Sequence, residues 1–277
     1  MLFHISINPK IKLDVLYQKY AMINEFILGY DMAKYILFDT ETTGNQENDR
    51  IIQVGAMIVH GKDEIEVYDE LCSTEVPITL EAMEVHNITP DVIENQPPYN
   101  ALEFAKKLEA YNKEENYLIA HNIAFDLAMV EKEGFENAYT LIDTLRCAKH
   151  LLPDSPYHRL QYLRYALALY TTEGKEADKL NITIKAHDAI GDVLVMKLLL
   201  SKLVLLAKEQ FPEEKNPMKT LVKLTQTPVL MKTFKFGKHK GKEVADVAKE
   251  DAGYLKWMQG NMDLDEDMKF TLDYYLG

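Results

Sequence analysis

The chain has 277 residues, 47% of them hydrophobic and 27% charged, with a formal net charge of −13. That length holds one large domain, or an ordinary domain with a small companion, and the composition is that of a water-soluble globular protein, not a disordered or fibrous one. No apolar stretch reaches the ~18 residues of a membrane span, the two cysteines have no metal-ligand spacing and fit a reducing compartment, and the N-terminus lacks the pattern of a secretory signal, so a cytoplasmic protein without membrane contact is expected.

Residues 1–33 read as an N-terminal extension. Leu13, Leu16, Tyr17, Tyr20 and Ile23 recur at helical spacing. Met32 immediately precedes AKYILFDTETTG, so the extension reads either as a docking helix or as the product of an upstream start. The first clear strand is Lys34 to Asp39. Ile51 to His60 and Glu64 to Leu71 read as two strands turned at Gly61-Lys62-Asp63. Pro97-Pro98 precede a helical pattern through Tyr111, with Leu102, Ala105 and Leu108 on one face. Tyr117 to Ala120 reads as a short buried strand, followed by a helix from Ala124 to Glu133 that stops at Gly134. Tyr139 to Ile142 is another short strand, and helices are expected over Thr144–Leu151, Arg159–Tyr170 and Ala189–Gln210. Hairpin-like strands followed by alternating strand and helix give an α/β domain over residues 34–211, a mixed sheet with helices on its faces.

Pro212-Glu-Glu-Lys-Asn-Pro217 reads as the start of a linker over residues 212–229. Residues 230–277 then form a small α+β module. It holds the only tryptophan, Trp257, which reads as core because Tyr254, Leu255 and Met258 flank it at helical spacing. The acidic average hides an asymmetry: residues 215–242 hold eight lysines and no acidic residue. Lys235, Lys238, Lys240 and Lys242 are interleaved with Phe234, Phe236 and His239. Such a stretch either tracks a phosphate backbone and offers stacking platforms, or is a solvated hairpin with its aromatics in the module's core.

Three separated clusters carry the chemistry. Asp39 and Glu41 lie two apart at the end of an apolar strand, so they share a face. Asp126 follows the buried strand at Tyr117–Ala120, where open α/β sheets bind ligands at the carboxyl ends of their strands. His187 and Asp192 stand at the start of the long apolar helix. A carboxylate beside an apolar run is costly to bury unless it meets a cation, and three such clusters suggest a shared metal site. Each cluster alone has a plainer reading: a solvated pair, a helix N-terminal carboxylate, a capping histidine.

Taken together and in this order, DTET, HNIAFD and HDAIGD resemble the DEDDh branch of the DnaQ-like 3′→5′ exonucleases, with further likeness in IIQVGAM, EVHNITPDVI and LIDTLRCAKHLLP. FGKHKGK, an acidic helix and YLKW resemble the small C-terminal module of exodeoxyribonuclease X-like proteins. The resemblance implies a ribonuclease H-like fold and hydrolysis of phosphodiester bonds at nucleic-acid 3′ ends, with release of nucleoside 5′-monophosphates. It implies that Asp39, Glu41, Asp126 and Asp192 hold two Mg²⁺ or Mn²⁺ ions, since all-oxygen ligation suits hard cations, and that His187 is the general base. It implies contacts to the terminal nucleotide from Thr40, Thr42 and Thr43, with His86 and Asn122 as further candidates. Single-stranded DNA is the favoured partner, RNA 3′-end trimming is the alternative substrate, and a homodimer is compatible with the sequence. A non-catalytic binding protein on this scaffold would be expected to lack one of the five key residues, and none is missing.

Overall fold

The computed structural model describes residues 33–61, 64–183 and 188–277. The reading of residues 1–32 as an extension therefore lies outside the described residues, as do Lys62 and Asp63 of the first turn. Strand β1 (Tyr35–Thr42) is central and apolar on both faces. It pairs antiparallel with β2 (Ile51–Val59), which pairs antiparallel with β3 (Ile65–Leu71). The β2–β3 turn is closed by the His60 N–H donating to the Glu64 carbonyl at 3.0 Å.

Two short helices, α1 (Leu80–His86) and α2 (Pro90–Ile93), follow β3, and α3 (Glu103–Ala110) comes after a 3-10 turn at Tyr99–Ala101. Strand β4 (Tyr117–Ala120) leads into α4 (Ile123–Lys132), and β5 (Thr140–Asp143) into α5 (Thr144–Leu151). Both strands run parallel to β1, giving the sheet order β3-β2-β1-β4-β5. Then come α6 (Leu160–Ala166), α7 (Tyr170–Leu180) and the long α8 (Ala189–Gln210). The fold is the expected mixed α/β sheet flanked by helices.

The sheet separates two cores. Tyr35, Leu37 and Ile119 pack with α5 and the apolar residues of α8 on one face. Ile36, Phe38 and Leu118 pack with Phe104, Leu108 and Val130 of α3 and α4 on the other. Cys147 and Cys72 are buried on opposite sides and are not bonded to each other. Among the described residues no helix is long and apolar enough to cross a membrane.

Two expected segments differ. The helix read over Arg159–Tyr170 is two helices, α6 and α7, broken where Ala168 adopts a positive φ of 55°. The stretch 212–229 read as linker contains α9 (Pro217–Gln226), capped by the Asn216 side chain. Its Met218, Leu221 and Leu224 belong to the core built on α8. Pro217 starts this helix at its first turn, where a missing N–H is tolerated.

The module that follows is built from α10 (Val244–Glu250), α11 (Ala252–Asn261) and α12 (Glu266–Leu276). They close over Phe234, Val247, Leu255, Met258 and Leu272. It docks through Asp267, which accepts the Val229 N–H at 2.9 Å and pairs with Arg146 and Lys149 of α5 at 3.3 and 3.5 Å. Trp257 is not core: it is 52% exposed, because Leu255 and Met258, not Trp257, point inward from α11.

Chain truncation should therefore depend sharply on its endpoint. Ending the chain after Thr227 should leave a cooperatively melting exonuclease domain. Ending it after Glu214 strips three buried side chains from the core, worth roughly 5 kcal/mol or more, and should lower the midpoint in a thermal melt by over ~10 °C or abolish soluble expression. Equal melts for the two would show that α9 is dispensable.

Candidate active site

β1 carries acidic side chains at its carboxyl end. Tyr35, Leu37, Asp39 and Glu41 share a face by the two-residue repeat, and Tyr35 and Leu37 are buried in the core that α8 fills. Asp39 and Glu41 thus face the side on which α8 lies. A bulge between Glu41 and Thr42 interrupts the pairing with β2, and bulges re-aim side chains at strand ends. Asp192 sits in the first turn of α8, where the helix dipole favours negative charge.

Gly55 lets that turn approach β1. It pairs with Asp39 across the β1–β2 ladder. A Cβ at Gly55 would lie 2.2 Å from the Ala189 carbonyl carbon and 2.3 Å from the Ile190 nitrogen. Only a residue without a side chain admits the helix at this distance.

Asp126 arrives from the opposite layer, in the first turn of α4. It is buried, and its Oδ1 accepts the Thr40 backbone N–H at 3.0 Å and the Thr40 hydroxyl at 2.8 Å. Asn122 enters this helix in the left-handed region, with φ 82°. Its N–H donates to Asp143 Oδ1 at 3.1 Å, the oxygen that also caps α5.

The resulting charge crowding is severe. Burial, then Asp126, Glu41 and Asp192, push the Asp39 carboxyl well above its usual range. Burial, then Asp192, Asp126 and Asp188, push Glu41 up to about 8. Burial lifts Asp126 to about 7, against the lowering effect of its bonds from Thr40. The leading influences on Asp39 and Glu41 are thus burial and other carboxylates, the situation a divalent cation relieves. The donor set is all carboxylate oxygen and fits a hard divalent ion. Among the described residues no three acidic, histidine or cysteine side chains form a ready-made metal cage, so side-chain rotation would complete the ligation.

The raised values fix a direction for stability. A carboxyl whose folded value lies above its unfolded value binds more protons in the folded state. Its stabilising contribution is full below the unfolded value and is lost as pH rises through the folded one. In chelator, the melting temperature should fall as pH climbs from about 4.5 towards 8, by on the order of 5 °C. A melt flat or rising across that window would show that the carboxylates are not crowded.

Asp192 is held from behind by side chains that the sequence did not single out. The Gln161 amide donates to Asp192 Oδ1, and Gln161 Oε1 accepts from Arg164 Nη1 at 3.1 Å. Arg164 in turn forks onto buried Glu173, with Nε to Oε2 at 2.6 Å. At the helix cap, Gln53 Nε2 donates to Asp188 at 3.1 Å and to Asp69 at 2.8 Å. Gln161→Leu removes the donor that fixes Asp192. Losses at such supporting positions are about 10- to 100-fold, so single-turnover hydrolysis should slow by about that factor with little change in the thermal melt. An unchanged rate would show that Asp192 positions itself. Gln161 had no sequence signal beyond its place on a helix, whereas Gly55 was marked as the one residue without a side chain inside an apolar strand.

The structure brings Asp39, Glu41, Asp126 and Asp192 to one end of the sheet. His187 lies outside the described residues. The expected nucleotide contacts read differently in place. The Thr40 hydroxyl is spent on Asp126, Thr42 Oγ1 donates to the Gly44 carbonyl at 2.7 Å, and Thr43 Oγ1 donates to Asp49 at 2.7 Å. All three threonines are buried and shape the loop. His86 is also buried, with Nε2 donating to the Thr42 carbonyl at 3.2 Å and Nδ1 accepting the Ile88 N–H at 3.0 Å. Burial lowers its pKa, and it braces the loop with both ring nitrogens in use. The Asn122 side chain is exposed and free to meet a ligand.

Comparison with known proteins gives the chain a family. The profile of a family described as Exonuclease matches residues 36–200, and that of the Exodeoxyribonuclease X-like C-terminal family matches residues 234–263. Exodeoxyribonuclease 10 of Escherichia coli K12 is 28% identical over 245 residues, covering 87% of this chain and 97% of that protein. The 3′-5′ exonuclease DinG of Staphylococcus aureus USA300 is 30% identical over 202 residues, 70% of this chain and 20% of that protein. Among solved structures, exonuclease X in complex with 5′ overhanging duplex DNA superposes with a TM-score of 0.48 at 20% identity, covering 69% of this chain and 99% of that one. With the exonuclease profile spanning more than half of its length, the chain belongs to the exonuclease family, as a DEDDh-type hydrolase of the 3′→5′ class.

Proposed function

We propose that the protein removes nucleotides from the 3′ ends of DNA by metal-dependent hydrolysis, releasing nucleoside 5′-monophosphates. The observation that carries this reading is the convergence of Asp39, Glu41, Asp126 and Asp192 from three elements on one end of the sheet, each of the first three raised by burial and by neighbouring carboxylates. Two Mg²⁺ or Mn²⁺ ions bound there would supply Lewis-acid activation of water and stabilisation of charge on the phosphate. Asp39 and Glu41 present their oxygens from β1, Asp126 from α4 and Asp192 from α8. Thr40 and Gln161 keep Asp126 and Asp192 turned towards them. His187, one residue before the α8 cap, takes the proton of the attacking water, a task that imidazole suits near neutral pH. The exposed Asn122 side chain and the lysines of residues 215–242 meet the strand.

The preference for DNA is supported by similarity along nearly the whole length of a protein named exodeoxyribonuclease. The test is a side-by-side digestion of 3′-labelled and 5′-labelled single-stranded DNA and RNA, with Mg²⁺, with Mn²⁺ and in chelator. Loss of the 3′ label first, as mononucleotide, on DNA and only with metal is the expected result. Faster digestion of RNA would reassign the substrate to RNA 3′ ends, and undiminished digestion in chelator would remove the metal from the mechanism.

A further inference from the structure

The C-terminal module contributes nothing to the carboxylate site, yet it displays an aromatic surface in an unusual setting. Trp257 is 52% exposed on α11. One face of its indole stacks on Tyr254, with ring centroids 5.9 Å apart and 24° between the planes. Tyr254 is itself wedged edge-on against buried Phe234 and against His239, at 6.3 and 4.9 Å. Trp257 is therefore the outer plate of a stack rooted in the module's core, held rigid with its other face towards solvent.

Two helix positions beside it carry no side chain. Gly253 and Gly260 stand four residues before and three after Trp257, on the same stripe of α11. A Cβ at Gly260 would meet nothing within 4 Å, and one at Gly253 only the Asp251 carboxylate at 3.9 Å. Neither packing nor close approach explains them, although a helical glycine costs up to about 1 kcal/mol relative to alanine. What they do is keep the approach to the uncovered indole face clear for a flat ligand. Exposed lysines border the plate on one side. Lys238 Nζ lies 5.7 Å from the Tyr254 centroid while pairing with the Asp251 cap at 2.7 Å, Lys256 adjoins Trp257, and Lys235 and Lys240 are exposed on the preceding segment.

We propose that this stack is a binding platform for an unpaired base of a single-stranded nucleic acid, with Lys238 and Lys256 beside its phosphates. A rigid aromatic plate flanked by cations binds strands without reading sequence, because every base has a π-face. The inference rests on the nuclease reading for its ligand class. It goes beyond that reading by assigning an aromatic stacking contact, on Trp257, in addition to the lysine contacts.

The chain's single tryptophan makes the test direct. Full-length protein in chelator, which blocks cleavage, is titrated with fluorescein-labelled dT20 for anisotropy and with unlabelled dT20 for tryptophan emission. Emission should quench along the same saturation curve as anisotropy. Trp257→Ala and Gly260→Leu should each raise the dissociation constant about fivefold or more. Gly260→Leu should do so without lowering the thermal melt, since leucine is the better helix former. Hydrolysis of a thymidine dinucleotide with Mg²⁺ should be unchanged in both variants. Anisotropy that saturates while emission stays constant, no binding of dT20 at all, or variant affinities within twofold of wild type would each overturn the platform. Failure of the wild-type protein to cleave the dinucleotide would instead count against the nuclease reading and leave the emission result to judge the platform separately.

Discussion

Asp192→Asn should lower turnover by about 1,000-fold or more while raising the melting temperature at neutral pH. The two effects have one origin. Asparagine keeps an oxygen at the position that accepts from Gln161, so the first turn of α8 stays where it is. What disappears is one negative charge among several: Asp192 is the first carboxylate acting on Glu41 and one of those acting on Asp39. Removing it relieves the repulsion from Glu41 and Asp39, which exceeds the attraction it loses to Arg164, and so stabilises the folded protein in the absence of metal. In the proposed mechanism the same charge holds a divalent ion, and losing several kcal/mol of transition-state stabilisation corresponds to about three orders of magnitude in rate. Single-turnover kinetics with Mg²⁺ and thermal melts in chelator read the two effects separately. Activity within tenfold of wild type would remove Asp192 from the metal-holding set. A lower melting temperature would show that its attraction to Arg164 outweighs the repulsion from Glu41 and Asp39.

The second large effect is expected from a residue with no chemistry. Gly55→Ala places a methyl group 2.2 Å from the carbonyl carbon of Ala189, well inside contact distance. The obstructing atoms are backbone, and they begin a helix of 22 residues whose inner face is core. They cannot swing aside as a side chain would. Either α8 lifts from the sheet or β2 shifts, and both move Asp192 relative to Asp39. Overpacking of this kind costs about 1–3 kcal/mol, and a displacement near 1 Å at a reacting centre costs on the order of 100-fold in rate. A variant that melts like wild type and cleaves at the wild-type rate would show that the contact between β2 and α8 relaxes without consequence.

The sequence was most legible where pattern and chemistry coincided. β4 and α8 were read at their observed limits, because a short apolar run between turn signals and a long apolar helix leave little choice of period. The four carboxylates were legible because each stands at the end of such an element. The break at Ala168 was not, since a lone residue in the left-handed region carries no signal when it is alanine. α9 was missed because Pro212 and Pro217 suggested a linker, and the apolar repeat Met218, Leu221, Leu224 behind them was passed over. Trp257 was misplaced because helical spacing to Tyr254 and Met258 does not say on which side of the stripe an aromatic falls. Thr42, Thr43 and His86 were read as nucleotide contacts, and only the coordinates show their polar atoms already in use within the loop.

The position of α9 has a consequence for biosynthesis. Met218, Leu221 and Leu224 fill a groove on α5 and α8, and the Thr225 hydroxyl accepts the Asp143 N–H at 2.9 Å, at the end of β5 beside the loop that leads to Asp126. A ribosome that has released all four clustered carboxylates, up to Asp192, still holds back the segment that closes this groove. Until residues up to 226 are available, this groove has no cover from α9. Chains folding during synthesis are most exposed to aggregation at such a stage.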